Sequence, residues 1–312
     1  MNSASPTHRL AGLDLGTNTF LLLIADVNAN TLTPLFEKET VVRLGKGVDA
    51  NGNLNAEAMQ RGLACLHEYA KSAREHGCEK ILAVGTSALR DAKNREEFLQ
   101  IAKQETGIAI NVISGETEAR LTYRGALSNK RDLPAPLAIL DIGGGSTEVV
   151  LGAHEQIASA RSADIGSVRL TERLLKHDPV QAEEAHAFRA HAEQVMRATW
   201  PASELKNVAS VVGTAGTITT LAAMAQGLMQ YEPERIDRYT LSLTKLNQIA
   251  ATLTRLPIAE RKKLPGLNPA RADVILAGAL LLERFMNIYG FEKIVVSNRG
   301  LRHGVLCAEA LA

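Results

Sequence analysis

Two short loops in the chain combine an acidic residue with glycines and hydroxyl side chains. In the first, Asp14 precedes a turn rich in small residues, and in the second, Asp141 precedes another. Loops of this composition present backbone N–H groups with little side-chain obstruction, and a concave set of such donors holds phosphate oxygens. The predicted phosphate-binding residues are Gly16, Thr17, Asn18 and Thr19 in the first loop and Gly143, Gly144, Gly145, Ser146 and Thr147 in the second.

The acidic residue before each loop points to a cation. A carboxylate beside bound phosphates repels them unless a positive ion intervenes or the carboxylate orients water. Mg²⁺ is a hard ion that bridges carboxylates and phosphates while it keeps several waters. We therefore expect Mg²⁺, or another divalent cation, near Asp14 and Asp141.

A third loop of small residues lies between an expected strand and an expected helix. The start of a helix after such a loop is an anion site, because its first N–H groups are free of intrahelical partners. Phosphate-binding residues are expected here at Gly213, Thr214, Gly216 and Thr217. The chain has no GxxxxGK[ST] segment, so a P-loop is not supported.

Internal repetition indicates how the loops are positioned. The segment Leu13–Gly16 (LDLG) recurs 127 residues later as Leu140–Gly143 (LDIG), and each copy leads into an apolar run typical of a strand. Each half therefore opens with the same hairpin. The repeat predicts two related domains that face each other across a cleft, each supplying a loop to it.

Strands alternating with helices predict an α/β architecture. Separate strands are expected near 32–36 and 40–44. We expect helices over residues 54–76, from Asn94 to about residue 104 with Asn94 and Glu97 as a capping box, and over 116–126, 180–196 and 270–286. Gly77 is the expected glycine just after the first of these helices. An interdomain hinge is expected near 126–136.

Composition excludes several classes of function. The 312 residues are 46% hydrophobic and 22% charged, which is ordinary for a globular protein. A net charge of +1 and 4% aromatic residues do not suggest a nucleic-acid partner. Three scattered cysteines fit a reducing compartment, and the longest apolar runs fall short of a membrane span. The N-terminal residues lack the order of a signal peptide, so we expect a cytoplasmic protein without a membrane partner.

Eight segments together carry a resemblance to a known family. The chain resembles the exopolyphosphatase and guanosine pentaphosphate phosphohydrolase family, within the actin, sugar-kinase and heat-shock ATPase superfamily. The matching segments run in family order over nearly the whole chain: GLDLGTNTFL (12–21), RLGKGVD (43–49), VGTSALRD (84–91), ISGETEARLTYRGA (113–126), LDIGGGSTEVVL (140–151), VGTAGTITTLA (212–222), LNPARADVILAGAL (267–280) and VSNRGLRHGVL (296–306).

The resemblance implies a fold and site residues. The fold is two actin-like, or ribonuclease H-like, domains, each a mixed sheet with flanking helices, of a short two-domain form. We place them at residues 1–126 with 299–312, and at 127–298. A catalytic glutamate is implied at Glu118, and functional roles are implied for Asp141, Glu148 and Arg90. Where the family often has a pair of acids, this chain has Thr117 before Glu118, with Glu116 as an additional acid.

The chemistry of these residues agrees with the implied roles. Hydrolysis of a phosphoanhydride needs a water in line with the leaving oxygen, and Glu118 would orient or deprotonate that water. Glu148 would hold the metal or water with Asp141, and Asp14 is the third candidate metal ligand. Arg43 and Arg90 would neutralise phosphates, because a guanidinium grips phosphate oxygens bidentately.

The leading functional hypothesis is a Mg²⁺-dependent exopolyphosphatase that releases terminal orthophosphate from inorganic polyphosphate. Hydrolysis of guanosine pentaphosphate uses the same chemistry, and the sequence does not separate the two substrates. A kinase of the sugar or acetate type and a non-catalytic nucleotide-binding module are two further hypotheses, both disfavoured by Glu118. Oligomeric state is not readable from the sequence, and a homodimer is one open outcome.

Overall fold

The chain folds into two compact units, as seen in a computed structural model that describes residues 7–28, 31–130 and 132–310. The first unit comprises Met1–Ser128 and Gly300–Ala312, and the second comprises Asn129–Arg299. The first six residues, on which the expected lack of a signal peptide partly rests, lie outside the described part of the chain. In the described ranges, no helix is both long and apolar enough to cross a membrane.

The first unit is built on a five-stranded mixed sheet with the order β3-β2-β1-β4-β5. Strand β1 pairs antiparallel with β2 and parallel with β4. Its strands are β1 (His8–Leu15), β2 (Thr19–Val27), β3 (Leu32–Val41), β4 (Lys80–Gly85) and β5 (Ile110–Val112). Its helices are α1 (Val48–Asn51), α2 (Ala56–Glu75), α3 (Ser87–Asp91), α4 (Arg95–Thr106), α5 (Gly115–Leu127) and α14 (Leu301–Glu309).

Strands β1 and β2 are apolar along most of their length because both faces of this sheet are covered. On one face Leu13, Phe20 and Leu22 pack in the cluster that contains Leu66 of α2. On the other face Leu23 packs with Leu306 of α14. The sheet is therefore sandwiched between α2 and the C-terminal helix.

Helix α14 approaches strand β1 and helix α5 closely because glycines remove side chains from both contacts. An added Cβ at Gly12 would lie 2.9 Å from the carbonyl oxygen of Arg302. Added Cβ atoms at Gly125 and Gly304 would overlap the backbones of Gly300 and Leu121. The C-terminal segment thus belongs to the core of the first unit.

Local signals predict some helix ends and fail at others. Helix α2 begins after Asn55, whose side chain accepts from the N–H of Ala58, and Gly77 follows its end with φ 69°, as expected. The capping-box prediction at Asn94 is wrong. The Asn94 side chain instead bonds the N–H and the carbonyl of Leu54, at 2.8 and 3.0 Å. The separate strands expected at 32–36 and 40–44 are one strand, β3.

The second unit contains a six-stranded mixed sheet with the order β10-β11-β9-β6-β7-β8. Its strands are β6 (Leu137–Ile142), β7 (Thr147–Ala153), β8 (Gln156–Ala163), β9 (Ser210–Thr214), β10 (Thr240–Ser242) and β11 (Lys293–Val296). Its helices are α6 (Ser167–Leu174), α7 (Ala182–Thr199), α8 (Ala202–Leu205), α9 (Ala215–Gln226), α10 (Pro233–Ile236), α11 (Leu243–Arg255), α12 (Ile258–Arg261) and α13 (Ile275–Tyr289).

The two sheets share one arrangement. Strands β8-β7-β6-β9-β11 follow one another in the second sheet as β3-β2-β1-β4-β5 do in the first, with the same pattern of antiparallel and parallel neighbours. The predicted fold class is therefore confirmed in its architecture: two related domains, each with a mixed sheet and flanking helices.

One predicted helix of the second unit is interrupted. The sequence predicts a single helix over residues 270–286, but Pro269–Arg271 form a short 3₁₀ turn, and α13 begins at Ile275. The Asn268 side chain caps the 3₁₀ turn by accepting from the N–H of Ala270 at 3.0 Å. The break places Arg271 on a separate turn, where its guanidinium packs against Gly216.

Candidate active site

Candidate residues of the first unit gather at one edge of its sheet. Strands β1, β4 and β5 run parallel, so their carboxyl ends lie along the same edge. The first phosphate loop follows β1, helix α3 follows β4, and helix α5 follows β5. Ligands of α/β proteins commonly bind at this edge.

The buried Glu118 and the partly buried Arg90 form an ion pair at this edge. One terminal nitrogen of Arg90, Nη1, donates to Oε2 of Glu118 at 2.6 Å and to the carbonyl of Ile113 at 3.0 Å. Glu118 is only 8% exposed. Its burial raises the pKa of the carboxyl group above the ordinary value of 4.5, and the positive charge of Arg90 opposes that shift. Glu118 is thus a restrained carboxylate with the enhanced basicity that a general base needs.

Helix α5 places Glu118 in its first turn. The helix begins after Ser114, whose hydroxyl accepts from the N–H of Thr117 at 3.1 Å. Glu116 and Thr117 lie on the exposed side of this turn, and Glu116 pairs with Arg120 at 2.9 Å. Of the two acids in this turn, only Glu118 lies in the protein interior.

Backbone hydrogen bonds hold the first phosphate loop, Gly16–Thr19, in a fixed turn against the chain that follows β3. The N–H of Gly16 donates to the carbonyl of Thr19 at 3.1 Å. The chain then returns after β3, where the N–H of Arg43 donates to the carbonyl of Asn18 at 2.8 Å and the N–H of Gly45 donates to that of Thr17 at 2.9 Å. Thr17, Asn18 and Thr19 are buried, Asp14 is half-buried, and Arg43 has a left-handed backbone with φ 57°.

A polar row crosses the second sheet at its corresponding edge. Asp141 on β6 lies directly opposite Glu148 on β7 and beside Thr214 on β9. Directly opposed residues have Cβ atoms about 4.5–5.5 Å apart on one face, so the two carboxylates are close neighbours. Oε1 of Glu148 accepts from the hydroxyl of Ser162 on β8 at 2.7 Å. Asp141 is 8% exposed and Glu148 is 1% exposed.

The second phosphate loop follows β6. The N–H of Gly143 donates to the carbonyl of Ser146 at 3.0 Å, as Gly16 does to Thr19 in the first loop. Helix α6 begins against this loop, and an added Cβ at Gly166 would overlap the backbone of Gly144. Ser146 and Thr147 are buried. The hydroxyl of Thr147 donates to the carbonyl of Ile165 at 2.5 Å, so its proton is directed into the protein.

The third loop also lies at the carboxyl edge of the second sheet. Gly213 and Thr214 end β9, and Gly216 and Thr217 lie in the first turn of α9. The hydroxyl of Thr214 donates to the carbonyl of Arg299 at 2.8 Å, so its proton is engaged within the protein and is not directed at a ligand. The buried guanidinium of Arg271 packs where an added Cβ at Gly216 would lie. A positive charge therefore lies at the start of α9, a helix of 12 residues.

The predicted metal ligands divide between the units. Asp14 belongs to the first unit, whereas Asp141 and Glu148 belong to the second. Among the described residues, no group of three or more His, Cys, Asp or Glu side chains is arranged to hold a metal ion. A cation held by Asp141 and Glu148 would complete its coordination with phosphate oxygens and water, a ligand set that suits Mg²⁺.

Two residues beside Glu148 and the second phosphate loop, Ser162 and Arg169, are not among the residues that the sequence predicts for the site. Ser162 bonds Glu148 across the sheet, and the largely buried side chain of Arg169 donates through Nε to the carbonyl of Gly145 at 2.7 Å. The sequence signal for Arg169 is modest: a Gly166-Ser167 pair before a short helix that follows the third strand of the repeat. Only the folded loop shows which carbonyl its side chain reaches.

Comparisons with known proteins identify relatives over nearly the full length. The sequence model of the Ppx/GppA phosphatase family matches residues 23–312. Exopolyphosphatase 2 of Mycobacterium tuberculosis is 37% identical over 310 residues, which cover 95% of this chain and 97% of that protein. The Aquifex aeolicus member of the Ppx/GppA family has a solved structure with a TM-score of 0.81 and 34% identity, covering 98% of each chain. An exopolyphosphatase structure from Cytophaga hutchinsonii gives a TM-score of 0.87 at 30% identity, covering 97% of this chain and 98% of the other.

Proposed function

Because the chain belongs to the Ppx/GppA phosphatase family, it is a hydrolase of phosphoanhydride bonds, and we propose that it releases terminal orthophosphate from inorganic polyphosphate. The observation that carries the mechanism is the buried Glu118 held by Arg90 at 2.6 Å. A buried carboxylate of raised basicity suits the activation of a nucleophile. The match to a phosphatase family favours water as that nucleophile over the hydroxyl of an acceptor substrate.

In the proposed reaction, Glu118 orients an attacking water and takes one of its protons. The water oxygen forms a bond to the terminal phosphorus while the bond from that phosphorus to the bridging oxygen breaks. The bridging oxygen stays on the polyphosphate, which is shorter by one unit, and orthophosphate leaves. General-base assistance of this kind contributes about 10²–10⁴ in rate.

Arg90 has two roles in this proposal. Its charge keeps Glu118 ionised against the effect of burial, because an adjacent positive charge favours a carboxylate. Its hydrogen bond also fixes one carboxylate oxygen, Oε2, and so leaves Oε1 to face the water. The role of Arg90 as a phosphate ligand stays a prediction: Nη1 bonds Glu118 and Ile113, and the guanidinium carries three further N–H donors on Nε and Nη2.

The phosphate loops supply donors from each unit. Gly16–Thr19 contributes in the first unit, and the segments Gly143–Thr147 and Gly213–Thr217 contribute in the second. Backbone donors bind any phosphate in a chain alike, since they recognise its oxygens and no other group. Arg43 remains a candidate phosphate ligand in the first unit.

We propose Asp141 and Glu148 as the holders of a divalent cation, with Asp14 as the candidate carboxylate of the first unit. The cross-strand pairing of Asp141 and Glu148 supports this assignment, because two neighbouring carboxylates at a phosphate loop need a compensating positive charge. When bound, Mg²⁺ supplies positive charge that neutralises phosphate oxygens.

The test is the initial rate of orthophosphate release in the presence of Mg²⁺. Long-chain polyphosphate, guanosine pentaphosphate and ATP are supplied at equal concentrations of terminal phosphate to the wild type, Glu118→Gln and Glu116→Gln. The second substitution is a matched control, because Glu116 is an exposed acid in the same helical turn. We expect fastest release from polyphosphate, with activity lost in Glu118→Gln and retained in Glu116→Gln.

Three results of this test would each reject a defined part of the proposal. A preference for guanosine pentaphosphate would replace the proposed substrate and keep the mechanism. Full activity in Glu118→Gln would reject the role of Glu118. No release from any substrate by the folded wild type would contradict the hydrolase activity itself.

A further inference from the structure

Three consecutive carbonyls of the second phosphate loop point towards the start of helix α6. The carbonyl of Gly143 accepts from the N–H of Ser167 at 2.9 Å, and that of Gly144 accepts from the N–H of Val168 at 2.8 Å. The third carbonyl, that of Gly145, accepts from Nε of the Arg169 side chain at 2.7 Å. The start of α6 therefore fixes the orientation of three successive peptide groups.

The orientation of these carbonyls determines where the N–H groups of the loop point. In a planar trans peptide, the carbonyl of one residue and the N–H of the next point in opposite directions. Carbonyls directed at α6 thus turn the N–H groups of Gly144, Gly145 and Ser146 away from it. The three N–H groups therefore share the side of the loop opposite α6. Gly143 and Gly144 are half-buried, whereas Gly145 and Ser146 are buried, so this row of donors is accessible from its Gly144 end. This is the arrangement of an anion-binding nest.

In the first unit, the corresponding loop carbonyls are held by backbone N–H groups and not by a side chain. There, the N–H of Gly45 holds the carbonyl of Thr17, and the N–H of Arg43 holds that of Asn18. Asn18 and Gly145 occupy corresponding positions, because the two loops are 127 residues apart at every position. In the second unit, the side chain of Arg169 therefore takes the place of a backbone donor.

A glycine loop needs such an external restraint. Gly143, Gly144 and Gly145 have no Cβ, so their peptide groups rotate with little steric hindrance. The hydrogen bond from Arg169 holds the peptide between Gly145 and Ser146 through its carbonyl oxygen. Without it, this peptide loses a restraint against turning its carbonyl oxygen, which repels phosphate, to the side on which the N–H groups of the loop lie.

We propose that Arg169 is a positioning residue of the phosphate loop: it holds the Gly145–Ser146 peptide so that the N–H of Ser146 faces a bound phosphate. The inference rests on the proposed phosphohydrolase function, and it adds a residue that acts through the loop backbone rather than on the substrate. It concerns binding of the phosphate group and is independent of the base, Glu118.

The experiment compares Arg169→Met and Arg169→Lys with the control Arg173→Met, an exposed arginine on the same helix. Methionine keeps much of the length and the apolar contacts of the side chain but removes every donor, whereas lysine keeps the charge and a single donor nitrogen. The measurements are kcat and KM with long-chain polyphosphate, inhibition by inorganic phosphate, and thermal unfolding of each variant.

We expect Arg169→Met to raise both KM and the inhibition constant of inorganic phosphate about tenfold, which corresponds to about 1.4 kcal/mol of binding free energy, because one loop donor no longer faces the anion. Arg169→Lys should recover part of this loss, and Arg173→Met should match the wild type. A purely structural role would lower kcat with the folded fraction and leave KM and phosphate inhibition unchanged. That result, or wild-type behaviour in Arg169→Met, would overturn the proposal.

A binding measurement separates this inference from the proposed function. Calorimetric titration with inorganic phosphate, which has no phosphoanhydride bond to hydrolyse, reports affinity whether or not the protein is active on polyphosphate. Weaker binding by Arg169→Met than by Arg173→Met supports the role of Arg169 even if no substrate is hydrolysed. Equal affinities of these two variants and the wild type reject it even if polyphosphate hydrolysis is confirmed.

Discussion

Nη1 of Arg90 lies 2.6 Å from Oε2 of Glu118 although the two residues are 28 positions apart in the chain. Arg90 lies in the last turn of the short helix after β4, and Glu118 lies in the first turn of the helix after β5. Parallel pairing of β4 and β5 brings these helix ends to the same edge of the sheet. The candidate base and its cationic partner are thus placed by strand order.

The decrease of activity at low pH, called the acid limb of the pH profile below, should report the protonation of Glu118. A general base acts only when ionised, and burial raises the pKa of Glu118 above 4.5. Activity should therefore fall as the pH decreases through a midpoint above 4.5, since the carboxylate is protonated there. The measurement is kcat/KM for polyphosphate as a function of pH. Residual activity of Glu118→Gln should lack this limb, and an unchanged limb in that variant would assign it to another group.

Replacement of Arg90 by methionine should move the acid limb to higher pH. The substitution removes the positive charge that lowers the pKa of Glu118, so the carboxylate takes up its proton at higher pH. At neutral pH we expect kcat/KM to fall about 10- to 100-fold, the loss associated with a hydrogen bond between charged groups.

The control for Arg90 is Arg120→Met on helix α5. Arg120 is exposed and pairs with the exposed Glu116, and surface ion pairs contribute about 0–1 kcal/mol. This variant should keep the pH profile of the wild type. An equal shift in both variants would show that the profile responds to net charge and not to the pair of Arg90 and Glu118.

Substitution of Asp141 or Glu148 in the second unit should raise the Mg²⁺ concentration that activity requires. We expect Asp141→Asn and Glu148→Gln to raise the Mg²⁺ concentration required for half-maximal activity, because a neutral amide binds a hard cation more weakly than a carboxylate. Ser162→Ala should have a smaller effect, since it removes only the hydrogen bond to Glu148.

A Mg²⁺ titration of the initial rate checks this prediction, with Glu183→Gln as the control. Glu183 is an exposed acid in the first turn of α7. Wild-type titration curves for both Asp141→Asn and Glu148→Gln would remove these residues from the proposed metal site.

Gly166→Ala should separate activity from stability. The added methyl group would overlap the backbone of Gly144, so α6 and the glycine loop must move apart. We expect a destabilisation of about 1–3 kcal/mol, as for other overpacked sites, together with a large loss of polyphosphate hydrolysis.

Gly227→Ala provides the comparison for Gly166→Ala. Gly227 ends helix α9 with φ 62°, and nothing lies within 4 Å of an added Cβ. Its substitution costs backbone strain of about 1–2 kcal/mol without a steric clash at a phosphate loop. Denaturant unfolding should show similar losses of stability in the two variants, and hydrolysis should fall in Gly166→Ala alone. Retained hydrolysis in Gly166→Ala would show that the loop tolerates displacement.

Much of the fold follows from local patterns in the sequence. The repeated Leu-Asp-x-Gly segments predict the two related domains, and the small-residue turns predict loops after strands. Gly77 marks a helix end because a left-handed residue after a helix favours glycine. Asn94 misleads the prediction, because an asparagine side chain caps a helix or a distant backbone equally well, and the partner at Leu54 lies 40 positions away.

The sequence by itself determined which residue types are available and which turns they form, because turn chemistry and strand periodicity act over a few neighbouring residues. It specified the loops at 16–19 and 143–147, the helix that carries Glu118, and the family to which the chain belongs. Only the tertiary structure decided the partners: Arg90 for Glu118, Glu148 for Asp141, and Arg169 for Gly145. These pairings depend on strand order and register across the sheets, and hydrogen bonds between distant residues leave no periodic signal in the chain.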